Sequence, residues 1–168
     1  MNDTPRPALI RPAVTDDLPA IRAIYNHYVT ASTCTFALTP ESEEERREWF
    51  SNRSTKHPVL VAEEAGEVLA WASLSAWKGR CAYAHTVESS VYVHPEQHRR
   101  GLGTVLMREL LAMAGPLGVH TIIAGVCSEQ AASIALHERL GFERVAHFRE
   151  VGFKFGRWLD VIYFQKFF

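Results

Sequence analysis

A glycine-containing segment at residues 99–104 stands between a strand-like run at 90–93 and an amphipathic, helix-like run at 105–113. Glycine lets the backbone turn sharply and come close to a ligand, and the first turn of a helix presents N–H groups without a partner inside the helix. Those donors and the positive end of the helix dipole attract anions, and the arginines of the segment add charge that pairs with phosphate. The segment therefore predicts a pyrophosphate site and an enzyme with a phosphorylated cofactor. It reads Arg99-Arg100-Gly101-Leu102-Gly103-Thr104.

Other phosphate-binding patterns fit this segment poorly. A dinucleotide-binding turn of the form G-x-G-x-x-G would have its third glycine at position 106, where the chain has Leu106. It would also be followed after about twenty residues by an acidic side chain, which residues 125–128 lack. The pattern G-x-x-x-x-G-K-[ST] is absent from the sequence. A turn that only joins a strand to a helix is the structural alternative.

Glu88 lies in the strand-like run at 86–93 that leads into this segment. Side chains alternate along a strand, so residues 88, 90 and 92 share one face, and a carboxylate there lies among apolar neighbours near the cofactor. Such surroundings raise the pKa of a carboxylic acid and suit it to general-base catalysis. A surface glutamate at a sheet edge is the alternative, and the spacing alone favours neither.

His137 lies in a helix-like run and is followed by Glu138. A zinc motif H-E-x-x-H would need a second histidine at the position of Gly141, so the metal interpretation fails. A histidine on a mostly apolar helix face either packs in the core or, with its near-neutral pKa, acts as an acid or base. Both interpretations stay open at this point.

The segment 77–83 combines aromatic and cationic side chains around a glycine, just before the Glu88 strand. Trp and Tyr are costly to expose, and aromatics interleaved with cations suit a small ligand that carries a carboxylate or phosphonate group. A solvated basic loop and a platform for stacking a nucleobase are the alternatives. The segment reads Trp77-Lys78-Gly79-Arg80-Cys81-Ala82-Tyr83.

The chain has 168 residues, of which 47% are apolar and 22% charged, and its formal net charge is -1. This length and balance predict one soluble domain, residues 1–168, that buries a core without disulfides or metals. A nearly neutral chain has no global field to recruit nucleic acid or a membrane surface, and no apolar run is long enough to span a bilayer. A polar start without a targeting signal and three widely spaced cysteines predict a cytoplasmic protein with reduced thiols. The cysteines are Cys34, Cys81 and Cys127.

Hydrophobic periodicity predicts a mixed α/β fold with a mostly antiparallel central sheet and helices on both faces. The dipeptide Ala65-Gly66 predicts a hairpin turn. Strands are expected at 8–14, 59–64, 68–74, 86–94, 119–126, 143–149 and 159–168, and helices at 18–28, 40–54, 105–113 and 129–140.

Motifs spread over almost the whole chain resemble the GNAT acyltransferase superfamily. The strand 91–93, the turn 99–104 and the block 131–142 are similar to its two acetyl-CoA-binding motifs. Within the superfamily the chain resembles the N-acetyltransferases of phosphinothricin and methionine sulfoximine. The matching pieces are Asn26-His27-Tyr28, Ser32-Thr33 with Phe36, Trp77-Lys78 with Arg80, Ala82-Tyr83, Thr86-Val87-Glu88, Leu136-His137-Glu138, and Gly152-Phe153-Lys154 with Gly156 and Trp158.

The resemblance implies an acetyl-CoA-dependent enzyme whose sheet opens between the Glu88 strand and the next strand along the chain, where the thioester enters. It implies that the backbone of residues 91–93 pairs with the pantetheine arm and that residues 99–104 hold the pyrophosphate. Two departures from the superfamily pattern, His98 in place of Gln or Arg and Gln130 in place of Asn, are expected to tune affinity. The implied cofactor contacts are Val91, Tyr92, Val93, Arg99, Arg100, Gly101, Leu102, Gly103, Thr104, Gln130 and Ser133.

For the second substrate, the resemblance implies a small amino-acid analogue whose α-amino group is acetylated by direct transfer, without a metal. Glu88 and His137 are the implied catalytic residues, with Glu88 taking a proton directly or through water and His137 as the alternative base or a relay. A backbone N–H near Tyr92 or Val93 is expected to stabilise the oxyanion. The implied substrate pocket consists of Phe36, Lys78, Arg80, Tyr83, Glu88 and Tyr92.

Two other functions fit the same glycine turn. A protein or peptide N-terminal acetyltransferase would need an open groove, and a non-catalytic acetyl-CoA-binding module would need neither Glu88 nor His137. The aromatic and cationic segment at 77–83 favours a closed pocket for a small ligand. The family pattern and the aromatic run at 162–168 also predict a homodimer.

Overall fold

The computed structural model describes residues 8–168, and a seven-stranded sheet runs through it. The strands are β1 Leu9–Pro12, β2 Val59–Glu64, β3 Glu67–Ala76, β4 Thr86–Val93, β5 Thr121–Cys127, β6 Glu143–Lys154 and β7 Arg157–Phe167. They lie in the order β1-β2-β3-β4-β5-β7-β6; β4 and β5 are parallel, and the other neighbours are antiparallel. The expected mixed, mostly antiparallel sheet is confirmed. Residues 1–7, whose polar character supported the expectation of no targeting signal, lie outside the described residues.

Helices cover both faces of this sheet, as expected. They are α1 Leu18–Ala31, α2 Glu43–Ser51, α3 Leu102–Ala114 and α4 Ala131–Arg139. Ile21 and Ile24 of α1 pack with Trp71 of β3 on what we call the α1 face. Leu106 of α3 packs with Phe164 of β7 on the opposite side, the α3 face, where α4 also lies. No helix within residues 8–168 is long and apolar enough to cross a membrane.

Local capping explains where two of the helices begin. The second helix begins at Glu43, three residues later than expected, because Ser42 and Glu45 each accept a hydrogen bond from the other's backbone N–H. The third helix begins at Leu102, three residues earlier than expected. Gly101, with a φ of +77°, forms its N-cap, and glycine adopts this conformation without steric cost.

Two hairpins join neighbouring antiparallel strands of the sheet. The expected Ala65-Gly66 turn joins β2 to β3, with φ values of +53° and +85°. The C-terminal hairpin of β6 and β7 is longer than expected, because β6 continues through a bulge instead of ending near residue 149. The register shifts between Phe148 and Gly152, and Glu150 within the bulge has a φ of +52°. A bulge interrupts the alternation on which strand prediction depends, and here it carries the strand on to Lys154.

The sheet is split between β4 and β5. Beyond Glu88, β4 pairs with β3 alone and β5 pairs with β7 alone. The opening implied by the resemblance is therefore present, and Glu88 lies where it begins. The β4–β5 register consists of Thr86 with Thr121, Val87 with Ile122 and Glu88 with Ile123.

Candidate active site

The start of α3 has the geometry of an anion site. Gly101 caps the helix in a left-handed conformation, and Arg99 is also left-handed, with a φ of +65°. The first hydrogen bond of the helix runs from the Val105 N–H to the Gly101 carbonyl over 3.1 Å. The N–H groups of residues 102–104 therefore have no partner inside the helix. Successive N–H groups beside left-handed residues form a concave surface that binds anions.

The two arginines of this turn differ in their partners. Arg100 donates to the Glu64 carboxylate over 2.7 Å and to the Gln97 side-chain carbonyl over 2.5 Å. Arg99 is exposed and forms no salt bridge within the part of the chain that the structure describes. Arg99 is therefore the arginine whose charge is available to a phosphate, whereas Arg100 holds the turn against β2.

Tyr28 of α1 fixes the end of β4. Its hydroxyl donates to the Val93 carbonyl over 2.5 Å and lies 2.6 Å from Nε2 of His98. Burial raises the pKa of Tyr28 to about 12, so the hydroxyl keeps the proton that it donates. His98, one of the departures from the superfamily pattern, is thus engaged by the protein itself. The sequence marks Tyr28 as the end of a helix and as part of a piece that resembles the superfamily, but it does not show the contact with β4, because the strand partner is 65 positions away.

The backbone of β4 turns alternate residues toward the opening. His94 donates to the Leu69 carbonyl of β3 over 2.7 Å, and antiparallel pairing bonds every second residue to the partner strand. Tyr92 therefore bonds to β3, whereas Val91 and Val93 turn their N–H groups away from β3, toward the opening. Of the two oxyanion donors expected near residues 92 and 93, only that of Val93 faces the opening.

Glu88 is half-buried at the point where β4 and β5 separate. It alternates in phase with Tyr92, which packs on the α1 face, so both side chains lie on that face. Burial raises the pKa of the Glu88 carboxyl group above its ordinary value. Burial, and then the charge of Glu88, raise the pKa of the neighbouring Tyr163. A raised pKa is a property that general-base catalysis near neutral pH favours.

His137 lies on the other side of the sheet. Only 3% of the residue is exposed, and its ring packs on Phe164 and Phe142, with centroid distances of 5.6 Å and 5.1 Å. Its Nδ1 lies 2.8 Å from the Ser133 carbonyl, which accepts a hydrogen bond from it. Burial lowers the pKa of His137, which keeps the ring neutral at pH 7. The structure does not bring His137 beside Glu88, so the expected relay between the two does not fit, and the geometry is that of a packed core histidine.

The segment 77–83 borders the Glu88 side of the opening. Trp77 packs edge-on against Tyr163, with ring centroids 5.6 Å apart. Nζ of Lys78 lies 5.5 Å from the Trp77 ring centroid and 5.8 Å from that of Tyr83. Lys78 and Arg80 are exposed, so both cations are accessible to a ligand.

Two aromatic residues predicted for the substrate pocket lie on different elements. Tyr92 of β4 packs against Trp71 and Tyr25, with centroid distances of 4.9 Å and 5.3 Å. Phe36 follows α1 and lies against the backbone of Gly152 in β6. A Cβ at position 152 would come within 2.0 Å of the Phe36 ring, so the ring can lie there only beside a glycine.

Gln130 and Ser133, both predicted to contact the cofactor, make contacts inside the protein. The side-chain amide of Gln130 donates to the Thr33 hydroxyl over 2.9 Å, so it is engaged by the segment that follows α1. The backbone carbonyl of Ser133 accepts a hydrogen bond from the His137 ring. The opening thus has Glu88 at its beginning and the N–H groups of alternate β4 residues along it, and the start of α3 follows the end of β4, whereas the His137 ring packs on the α3 face.

The model of the acetyltransferase (GNAT) family matches residues 21–142, which include the opening, the glycine turn and α4. The chain belongs to the acetyltransferase (GNAT) family. It is an N-acetyltransferase, and the expected family is confirmed.

Relatives of this GNAT chain match it over nearly their whole length. It is 44% identical to an L-methionine sulfoximine/L-methionine sulfone acetyltransferase of Pseudomonas aeruginosa, over 94% of this chain and 93% of the relative. It is 37% identical to a phosphinothricin N-acetyltransferase of Streptomyces coelicolor, over 94% of each chain. The crystal structure of a GNAT phosphinothricin acetyltransferase from Sinorhizobium meliloti in complex with acetyl-CoA is similar, with a TM-score of 0.91 and 39% identity over 95% of this chain and 87% of that one.

Proposed function

We propose that this enzyme transfers the acetyl group of acetyl-CoA to the α-amino group of a small amino-acid analogue of the methionine sulfoximine or phosphinothricin type. The observation that carries the proposal is the position of Glu88. Its carboxyl group is half-buried, has a raised pKa and lies where the sheet opens. The names of the relatives at 37% and 44% identity support the substrate class.

The opening and the glycine turn together fit acetyl-CoA. The N–H groups of residues 102–104 and the charge of Arg99 would hold the pyrophosphate. The N–H groups of Val91 and Val93 would pair with the pantetheine arm, because they point into the opening that β5 leaves free. The related structure that holds acetyl-CoA supports this assignment. Acetyl-CoA supplies the acyl group as an activated thioester.

In the proposed reaction, Glu88 takes a proton from the substrate ammonium group, directly or through a water molecule. The free amine then attacks the thioester carbonyl, and a β4 N–H in the opening that the pantetheine arm leaves free stabilises the negative charge that develops on the carbonyl oxygen. The C–S bond of the thioester then breaks, and coenzyme A leaves as a thiolate, which takes up the proton that the nitrogen loses as the amide forms. Transfer is direct. Cys127, at the end of β5, is buried and is not used as a nucleophile. His137 is assigned a packing role, since its neutral ring lies on the α3 face.

The substrate pocket is proposed to lie on the α1 face of the opening. Lys78 and Arg80 would pair with the acid groups of the substrate and orient its amine. Tyr83, Tyr92 and Phe36 would supply its apolar walls. Since these residues come from three separate segments, the pocket depends on the loops that hold them in place.

A homodimer is proposed from the C-terminal hairpin. Several large apolar side chains of β6, β7 and their turn are exposed, and an apolar surface of this kind favours a protein partner. A second copy of the chain is the partner that the aromatic hairpin predicts. The exposed apolar residues of the hairpin are Val145, Phe148, Val151, Phe153, Phe155, Trp158 and Phe167.

A cytoplasmic location is proposed on the sequence alone, and the cysteines are free thiols.

The proposal is tested by measuring coenzyme A release from acetyl-CoA with methionine sulfoximine, phosphinothricin and a short peptide as acceptors. We expect release with at least one of the two analogues, with a kcat/KM of roughly 10⁴ M⁻¹s⁻¹ or higher, and little release with the peptide. Preference for the peptide would support an N-terminal acetyltransferase instead. Acetyl-CoA binding without release for any acceptor would support a non-catalytic module.

A further inference from the structure

A buried lysine holds the segment that carries Phe36. Lys154, the last residue of β6, is 3% exposed. Its Nζ donates to the Ser32 carbonyl and to the Thr35 carbonyl, each over 2.7 Å. The two acceptors belong to residues 32–36, which we call the α1 loop because they follow α1 directly.

The contact is unusual for a lysine, because its charge is met by backbone dipoles rather than a carboxylate. Within residues 8–168 no salt bridge involves Lys154, and burial lowers its pKa. Hydrogen bonds from a charged donor are roughly twice as strong as those between neutral groups. Loss of the donor would leave two carbonyls of the α1 loop unpaired, which is costly where they are shielded from water. Lys154 therefore fixes the backbone path of this loop.

The C-terminal hairpin contacts the α1 loop at a second point. Phe36, at the end of the loop, lies against Gly152 of β6, where any side chain would collide with its ring. Lys154 and Gly152 lie two residues apart on the same strand, so β6 holds both the backbone and the aromatic ring of this segment. Gln130 adds a contact from the start of α4 by donating to the Thr33 hydroxyl.

On its other side, the α1 loop reaches the aromatic residues of the α1 face. The Thr35 hydroxyl lies 3.0 Å from the Tyr25 hydroxyl. The Tyr25 ring packs edge-on against Tyr92, with centroids 5.3 Å apart. Thr35 therefore accepts a hydrogen bond from Lys154 through its carbonyl and contacts Tyr25, the neighbour of Tyr92, through its hydroxyl. A shift of the loop would displace Phe36 and change the packing around Tyr92 together.

We propose that Lys154 is a positioning residue for the amine substrate: by holding the α1 loop against the C-terminal hairpin, it sets the positions of Phe36 and Tyr92. The inference rests on the proposed function, because it assigns those two aromatic residues to the amine pocket. It predicts that Lys154 acts on the amine substrate and leaves acetyl-CoA binding unchanged.

The kinetic test compares Lys154→Met, which removes the donors, with Lys154→Gln, which keeps an NH₂ donor on a side chain that is one atom shorter. We expect Lys154→Met to raise the KM for the amine by roughly tenfold, which corresponds to about 1.4 kcal/mol, with the KM for acetyl-CoA unchanged. Lys154→Gln should recover part of that increase. Gly152→Ala, which forces Phe36 aside without altering Lys154, should raise the amine KM in the same way. Ile162→Val, a core substitution in the same hairpin, is the control and should change neither KM.

A second readout does not depend on activity. Cys34 lies inside the α1 loop and is half-buried, so its alkylation by iodoacetamide, followed by mass spectrometry of the Cys34 peptide, reports on the loop. We expect Cys34 to be alkylated several-fold faster in Lys154→Met than in the wild type or in Ile162→Val. If the wild type acetylates no amine, the proposed function fails, and the alkylation rates still test whether Lys154 holds the α1 loop in place. Unchanged Cys34 alkylation, or an unchanged amine KM in an active Lys154→Met enzyme, would overturn the inference.

Discussion

At the scale of single residues, the setting of Glu88 fixes how the reaction should respond to pH. A base must be deprotonated to act, and burial raises the pKa of Glu88. Activity should therefore fall as the pH drops through this raised pKa, at a higher pH than an exposed glutamate would give. The sign follows from the carboxyl group: the protonated form is neutral and cannot accept the amine proton.

Glu88→Gln should lower kcat by about 10²- to 10⁴-fold, the usual scale of general-base catalysis, and should remove the acidic limb of the pH profile. The measurement is coenzyme A release between pH 5 and pH 9. Glu67→Gln, which changes an exposed glutamate at the start of β3, is the matched control. Retention of nearly full turnover and of the acidic limb in Glu88→Gln would show that another group is the base.

For His137, packing predicts a loss of stability rather than of turnover. His137→Ala would leave a cavity beside Phe142 and Phe164, and we expect the free energy of unfolding to fall by about 2–4 kcal/mol. The kcat of the folded fraction should change less than tenfold. Urea unfolding and kcat, measured on the same preparation, check both values. A 100-fold loss of kcat without loss of stability would return His137 to the catalytic machinery.

Residues whose partners are near in sequence could be predicted, and those with distant partners could not. The alternation of residues 88, 90 and 92 placed Glu88 correctly on one strand face. The sequence places Arg100 in the phosphate turn, but it does not show that the Arg100 guanidinium binds Glu64, 36 positions away. Lys154 binds the Ser32 carbonyl across 122 positions. No local pattern reports such contacts, because they arise only when the sheet has assembled.

At the scale of elements, the two glycines of the turn at 99–104 do different things. Gly101 has a φ of +77°, which disfavours any other residue, although the space around it is open. Gly103 lies within the helix, and a Cβ there would make ordinary contact with Val91 at 3.6 Å. The conformation of Gly101 sets the start of α3, whereas Gly103 only has to pack against β4.

Gly101→Ala should therefore weaken acetyl-CoA binding, because the left-handed conformation costs a non-glycine residue roughly 1–2 kcal/mol and the turn would relax away from it. Gly103→Ala should keep wild-type affinity and raise helix stability slightly. Isothermal titration with acetyl-CoA compares the two variants. Equal affinities for both would mean that the left-handed turn does not hold the cofactor.

Local sequence signals located some of the element boundaries and missed others. The Ala65-Gly66 turn lies where its dipeptide indicated, but the start of α3 was set by the backbone of Gly101, which hydrophobic periodicity does not reveal. The end of β6 was also missed. Its register is irregular at the bulge, so the alternation pattern did not predict the part of the strand beyond residue 149. The opening itself was expected only from the family resemblance, since no property of β4 or β5 alone shows that the two strands separate.

At the scale of the whole molecule, the apolar surface of the C-terminal hairpin predicts self-association. Phe153 and Trp158 pack edge-on with each other, at 54% and 60% exposure. Replacing both by Ser should convert a dimer to a monomer, as measured by size-exclusion chromatography with light scattering. Leu38→Ser, at a residue that is 71% exposed outside the hairpin, is the control. A wild-type chain that is monomeric at high concentration would contradict the prediction.

The three residue pairs between β4 and β5 are the strand pairing that connects the two halves of the sheet, β1 to β4 and β5 to β7. The glycine turn and Glu88 belong to one half of the sheet, and Tyr163 and Lys154 belong to the other. A cofactor that lies in the opening between β4 and β5 would contact both halves. It would stabilise the sheet there, because it would supply the hydrogen bonds that the two strands do not make to each other. Its occupancy would then be linked to stability, by an amount that grows with ligand concentration over its dissociation constant. Transient separation of the two halves of the sheet would thus become rarer as the concentration of acetyl-CoA rises.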